Sequence, residues 1–409
     1  MQAAKTDCYK QDAIITRNST CLQSAYCLQT MTQETINMIA LTKIKGLTLL
    51  NARTLLDNIG SATDIMDMRD AIIEHVPNAS QRFIDSMRNA ANCIDAAKAE
   101  ADFAEDNNIR VLTINDTDYP LRLKECDDAP LVLYYCGSAN LNPKHVVSMV
   151  GTRKCTEYGR ELCDSFISEM KRCCPDTLIV SGLAYGIDIC SHKASIHEGV
   201  PTVGVLAHGL DTIYPAAHRS VAAQMAKNGG GLLTEYTSKT IPEKGNFVRR
   251  NRIVAGMCDA CVVVESSERG GSLITADLAL NYNREVFAFP GRIYDERSAG
   301  CNNLIKSHSA TLLTSANGFI ETMGWEDASA SKNKKKPQAY QQELFPDLTD
   351  EEKTLINSLK DVDAKHINQI VVETNIPYAR ASMLFFELEM KGIVKPLGGA
   401  RYHLVRKGL

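Results

Sequence analysis

Between residues 144 and 315, short apolar segments alternate with helix-patterned ones. "HVVSMVGTR" is followed by "EYGRELCDSFISEMKRC", "TLIVSGLA" by "IDICSHKASIHEG", and "PTVGVLAHG" by "YPAAHRSVAAQMAKN". "GLLTEY" leads to "NFVRRNRIVAG", "ACVVVES" to "SLITADLALNY", and "EVFAFPG" to "NNLIKSHSA" and "TLLT". The strand segments are apolar on both faces, so neither face is written for water. Such strands belong in a mostly parallel sheet covered by helices on both sides. The predicted fold is α/β, a Rossmann-like doubly wound sheet.

A chain of 409 residues exceeds one compact core, and its texture changes along its length. Residues 1–30 lack strong periodicity and a signal-type apolar region, and are expected to be an unstructured extension or an over-long start. Residues 31–104 carry apolar positions at helical spacing, broken at Gly46 and Gly60, and are expected to form a helical module of SAM or helix–hairpin–helix type. The α/β core is expected over 105–325 and a basic, small-residue linker over 326–346. Residues 347–409 read as three helices and a β-hairpin, the order of a winged helix.

The formal net charge is −4, so no global field attracts nucleic acid, and any anion site must be a local patch. The 14 cysteines build no disulfide framework, and Cys258–Cys261 is a CxxC without a second ligand pair. They read as free thiols of a cytoplasmic protein. No metal, cofactor or membrane association is expected.

In doubly wound sheets, ligands bind outside the carboxyl ends of the strands. Three predicted strands end in loops of glycine and small hydroxyl residues: Gly151-Thr152-Arg153, the stretch from Ser181 and Gly182 to Asp188, and Ser266–Ser272 with Gly271 and Ser272 opening a helix. Glycine lets a ligand approach the backbone, and free N–H groups at a helix start favour anions. Beside them, "NFVRRNRIVAG" places Arg249, Arg250 and Arg252 within four positions. Together these point to phosphate groups. Neither a GxGxxG with a ribose carboxylate nor a Walker motif is present. His192 reads as packing or capping, and Asp188 as a helix-start carboxylate. Glu265, at the end of an apolar strand, is expected to pair with Arg250 or Arg252.

In order, "MVGTR…YG", "IVSGLAYGIDICSHKASIHEGVPTVGVLAHGLDTIYP", "GLLTEY", "FVRRNRIVAGMCDACVVVES", "GGSLITADLALNYNREVFAFPG" and "GCNNLIKSHSATLL" resemble the DNA-processing protein A family (DprA, also called Smf) over about residues 110–315. The resemblance implies a single-stranded DNA-binding protein without catalysis. It implies protection of incoming DNA, loading of the RecA recombinase during natural transformation, and dimerisation through the Rossmann domain. By motif, the DNA site carries over to Gly151, Thr152, Arg153, Ser181, Gly182, Phe247, Arg249, Arg250, Asn251, Arg252, Gly271 and Ser272. Phe247 would stack a base and the arginines would take phosphates. The ordinary alternative for Phe247 is packing against its own helix.

The chain departs from the family pattern in places. Val248 stands where Pro commonly follows the Phe, and "KIKGLTLL" lacks the second glycine of a helix–hairpin–helix loop. Residues 347–409 hold nine acidic and nine basic residues, so a protein contact fits that domain better than duplex reading. Two other classes stay in play: a nucleotide phosphoribohydrolase-like enzyme and a winged-helix transcription regulator. The enzyme's GGxGTxxE motif corresponds to Gly270–Asp277 here, without the GT pair or the Glu.

Overall fold

The computed structural model describes residues 31–69, 81–88, 90–325, 348–359, 365–391, 393–397 and 400–404. The extension and the linker, read from sequence at 1–30 and 326–346, lie outside them. The chain divides between Glu326 and Asp327 into two compact units.

The first unit opens with helices α1 (Gln33–Lys43), α2 (Leu49–Ile59), α3 (Ala62–Asp67), α4 (Gln81–Arg88) and α5 (Ala91–Asp106). The first three start where sequence chemistry says they should. Thr32, Thr48 and Ser61 each accept from a backbone N–H three residues on, satisfying a donor the helix leaves open. Two strands follow, β1 (Arg110–Thr113) and, after the short α6 (Leu121–Lys124), β2 (Val132–Gly137).

The alternating region then forms β3 (His145–Val150), α7 (Glu157–Cys173), β4 (Thr177–Ser181), α8 (Ile187–Glu198) and β5 (Thr202–Val205). It continues through α9 (Arg219–Lys227), β6 (Gly231–Thr234), α10 (Lys244–Gly256), β7 (Ala260–Val263) and α11 (Gly271–Asn281). It closes with β8 (Glu285–Ala288), α12 (Ala299–Lys306), β9 (Thr311–Leu312) and α13 (Ala316–Met323).

All nine strands join one sheet in the order β1-β2-β6-β5-β4-β3-β7-β8-β9. From β6 to β9 every pairing is parallel, while β1–β2 and β2–β6 are antiparallel. The winding runs outward from β3 through β4, β5 and β6, then restarts on the other side at β7. The switch of direction therefore falls between β3 and β7. All six residues of β3 are buried, and they alternate between two apolar clusters. Val146 and Val150 face one, Val147 and Met149 the other.

The first of those clusters also contains Met38, Leu55 and Phe83 of the N-terminal helices, together with Leu133 of β2 and Val203 of β5. The apolar core is thus continuous across residue 105, where a separate module was expected to end. The physical reason is the antiparallel β1–β2 pair. It widens the sheet beyond β6, and α1 packs on it. Glu100 of α5 reinforces the join, accepting from both the N–H and the hydroxyl of Ser238 at 2.7 Å.

The second unit has its own core around Leu355, Ile370, Leu384 and Phe385. It contains α14 (Asp350–Asn357), β10 (Lys365–His366), α15 (Ile367–Thr374), α16 (Tyr378–Met390), β11 (Val394–Leu397) and β12 (Arg401–Leu404), with sheet order β10-β12-β11. Thr349 and Glu352 form a reciprocal capping box at the start of α14. Among the described residues every cysteine is a free thiol, and no helix is long and apolar enough to cross a membrane.

Candidate nucleic-acid interface

The switch between β3 and β7 is where a doubly wound sheet ordinarily opens a crevice. Here a carboxylate fills it. Glu265, buried just past β7, accepts from the backbone N–H of Thr156 at 2.8 Å and from the Thr156 hydroxyl. The Thr156 hydroxyl in turn caps α7 by accepting from Gly159 N at 3.1 Å. A side chain at Gly159 would collide with the Glu265 carboxylate. The expected partners of Glu265, Arg250 and Arg252, are engaged elsewhere. The carboxylate anchors the Gly151–Thr156 loop instead.

The fates of the three arginines follow from helix geometry. Successive residues turn by about 100°, so Arg250 and Arg252 project on roughly opposite sides of α10. Arg250 points inward and is 4% exposed. Its Nη1 donates to the carbonyl of Gly182 at 2.5 Å and to the carbonyl of Val205. Burial pushes its pKa down, and nearby Asp188 opposes the shift.

Asp188 is itself buried, in the first turn of α8. It accepts from Gly182 N at 3.2 Å and Ala184 N at 3.4 Å. Burial raises its pKa, and Arg250 with these hydrogen bonds opposes that. Arg250 and Asp188 thus hold the Gly182–Ala184 loop between a buried cation and a buried anion.

Arg252 turns toward β6 and pairs with Glu235. Burial raises the Glu235 pKa, and Arg252 counteracts it. Arg249 remains exposed, its Nη2 donating to Asn246 Oδ1 at 3.1 Å. Of the three arginines, only Arg249 offers its charge to solvent.

Arg153 is also exposed, and its guanidinium carbon lies 5.6 Å from the centroid of the half-buried Phe247 ring. This is cation–π geometry. It draws together two predicted site residues 94 positions apart, a pairing no local spacing announces. Gly186, at φ +79°, lets the β4 loop close against this point, where a side chain would strike Thr152 and Arg153.

Other predicted residues are placed less openly. The Ser181 hydroxyl is buried and donates to Met149 O at 2.6 Å. The buried Ser272 hydroxyl donates to Ser266 Oγ at 2.9 Å. Both hydroxyl protons are committed to internal bonds. Gly151, Thr152, Gly182 and Asn251 are half-buried, and Gly271 is exposed with open space around it. His192 is buried, its Nδ1 2.7 Å from Thr202 Oγ1.

Two aromatic residues beside Arg153 and Phe247 were outside the predicted set. Tyr214 lies 5.7 Å from Phe247, ring to ring, and Tyr185 lies 4.8 Å from His218. The signal available in the sequence was an aromatic inside the glycine loop Gly182–Gly186 and a second before Pro215. Among the described residues, no three His, Cys, Asp or Glu side chains gather as a metal site.

The mostly parallel, doubly wound sheet makes this an α/β protein, and the glycine loops, Arg153 and aromatic rings mark its carboxyl edge as the candidate site. Residues 110–324 match the family model for DNA recombination-mediator protein A. The chain is 38% identical over 227 residues to the DNA processing protein DprA of Streptococcus pneumoniae, covering 56% of this chain and 78% of that one. It is 35% identical over 223 residues to protein Smf of Escherichia coli, covering 54% and 58% respectively. The crystal structure of DNA processing protein A from Streptococcus pneumoniae aligns with a TM-score of 0.60 at 33% identity, covering 71% of this chain and 98% of that one. The chain belongs to the DNA recombination-mediator protein A family, whose work is DNA processing.

Proposed function

We propose that this protein binds single-stranded DNA at the carboxyl edge of its sheet, without chemistry of its own, and passes it to the RecA recombinase. The observation that carries this reading is the exposed Arg153 guanidinium over the Phe247 ring, with exposed Arg249 on the same helix as Phe247. An aromatic platform within a local cationic patch is the general design of single-strand sites. A duplex presents no free base face to such a platform. Membership of a recombination-mediator family supports the same role. We read Arg250, Asp188 and Ser181 as the supports that shape the loops, and Arg153, Arg249, Phe247 and the Gly151 and Gly182 backbone as the contacting set. Asn251 and Gly271 border it.

The protein acts in the cytoplasm as a homodimer through its α/β domain, protecting DNA taken up in natural transformation. The N-terminal helices form a SAM-like module, and the C-terminal unit is a winged helix serving protein contacts. On α16 the basic residues are paired internally, Arg380 with Glu351 and the adjoining Lys391 with Glu352. Met383, Phe386 and Met390 are exposed on the same helix. That surface suits a protein partner better than a phosphate backbone.

Fluorescence anisotropy with labelled oligo-dT tests the site. Arg153→Glu combined with Arg249→Glu should abolish measurable binding while far-UV circular dichroism stays unchanged. A folded double variant with wild-type affinity would overturn the assignment.

A further inference from the structure

Two tyrosines stand beside the Arg153–Phe247 pair, and the contacting set above gives neither a role. Tyr185 is 48% exposed and Tyr214 is 49% exposed. Single exposed apolar residues are unremarkable on a surface. These two belong to a connected arrangement. Tyr185 meets the edge of the His218 ring at 4.8 Å and 70°. His218 is buried and held in place by its Nδ1, which donates to Leu183 O at 2.8 Å. Four residues before His218, Tyr214 leans on Phe247 at 5.7 Å and 54°. Phe247 lies under Arg153, and Arg153 abuts Gly186, the neighbour of Tyr185. Contacts and chain connectivity together close a circuit: Tyr185 on His218, the segment 214–218, Tyr214 on Phe247, Phe247 under Arg153, and the Arg153 backbone against Gly186, the neighbour of Tyr185.

Three features of this circuit point to unstacked bases as the occupant. Each tyrosine ring is braced by another ring while about half its surface stays in water. A braced ring has little rotamer freedom left to lose on binding. The cation placed at these rings is Arg153, over Phe247, and its positive charge suits a linked phosphate backbone. The rings come from the separate loops after β4 and β5 and from α10, so more than one segment of the chain presents an aromatic face at this edge.

We propose that Tyr185 and Tyr214 are base-stacking residues of the single-strand site, taking further bases beside the one on Phe247. The inference rests on the single-strand reading above and extends it from a backbone clamp to a multi-base platform. Every base has a π-face, so the platform is tolerant of sequence.

The test uses the full-length protein with oligo-dT and with an abasic deoxyribose-phosphate oligomer of equal length. Wild type should prefer oligo-dT. Tyr185→Ala and Tyr214→Ala should each weaken oligo-dT binding by about 5-fold or more. Together they should remove most of the preference over the abasic strand. The slope of log affinity against log salt should stay as in wild type, because no phosphate contact is lost. Tyr185→Phe and Tyr214→Phe should bind as wild type, since stacking needs the ring and not the hydroxyl.

Photo-crosslinking of wild-type protein to oligo-5-iodo-dU avoids dependence on variant folding, and mass spectrometry should place adducts on Tyr185 or Tyr214. Adducts confined to Phe247, or alanine variants with unaltered affinity, would overturn the proposal while leaving the Arg153–Arg249 site standing. A wild-type protein that binds no oligo-dT would instead remove the single-strand reading itself.

Discussion

Arg250 lies beneath Gly182: its Nη1 donates to the Gly182 carbonyl at 2.5 Å, and any side chain on Gly182 would collide with the guanidinium. The most conspicuous cation of the arginine cluster is therefore a support for the loop and not its ligand. Arg250→Met would leave the Gly182 and Val205 carbonyls without their donor and Asp188 without its nearby cation. Leaving buried acceptors without their donor costs about 1–3 kcal/mol each. Urea denaturation should register a loss of that size. Arg250→Lys should recover little, because the lysine Nζ ends one bond short of the position from which Nη1 reaches both carbonyls.

Arg249 and Arg252 are separated by three positions on one helix and should separate cleanly by experiment. Arg249→Glu should weaken oligo-dT binding by tenfold or more and change stability by less than about 0.5 kcal/mol, as expected at an exposed site. Arg252→Glu faces Glu235, which is 17% exposed at its side chain, and places two like charges together. Its main effect should be several degrees of lost melting temperature. Equal stability losses in both variants would contradict the placement of Arg249 at the surface. For Arg153→Ala, the salt slope should become less negative by about 0.7, the share of one single-strand phosphate contact.

The loop after β3 depends on Thr156. Thr156→Val removes both the cap of α7 and the hydroxyl donor to Glu265. Loss of a cap alone costs about 1 kcal/mol, and leaving a buried carboxylate short of a donor adds to it. A total of about 2–4 kcal/mol in denaturant titration is expected. Thr156→Ser keeps both bonds and should stay within about 1 kcal/mol of wild type.

The doubly wound class was legible in the alternation of doubly apolar strands with helices, because burial on both faces is written into each segment. The edge loops were legible for a related reason: glycines and small hydroxyl residues between such segments have few other uses. Partnerships were not legible. Arg252 finds Glu235, Glu265 finds Thr156 from 109 positions away, and Arg153 finds Phe247. Each depends on strand order, and a linear sequence does not state that β3 lies between β4 and β7. Helix phase was the one clue within reach. At about 100° per residue, adjacent Arg249 and Arg250 cannot face the same way, so a triple-arginine phosphate clamp was never available. What the N-terminal helices pack against was illegible for a different reason. The helical periodicity of 31–104 reports an apolar face but not what covers it, and the β1–β2 edge of the sheet does.

His192 gives a pH dependence with a definite sign. It is buried, with Nδ1 on Thr202 Oγ1 and no partner for Nε2 among the described residues. Burial first, then the neighbouring His218 and Arg250, lower its pKa to about 3 from 6.5. The folded state therefore resists a proton that the unfolded chain accepts below about pH 6.5. Between the two values the unfolded state holds more protons, so stability rises with pH and falls on acidification. At pH 7 the group contributes almost nothing. By pH 5 the accumulated loss is about 2 kcal/mol, and it continues to grow toward pH 3. Comparing urea unfolding at pH 7 and pH 5 for wild type and His192→Gln isolates this group, because glutamine does not titrate. The wild-type loss should exceed that of the variant by about 2 kcal/mol. An equal pH dependence in the two proteins would mean that His192 is protonated in the folded state, and that water or a rearranged partner reaches its Nε2.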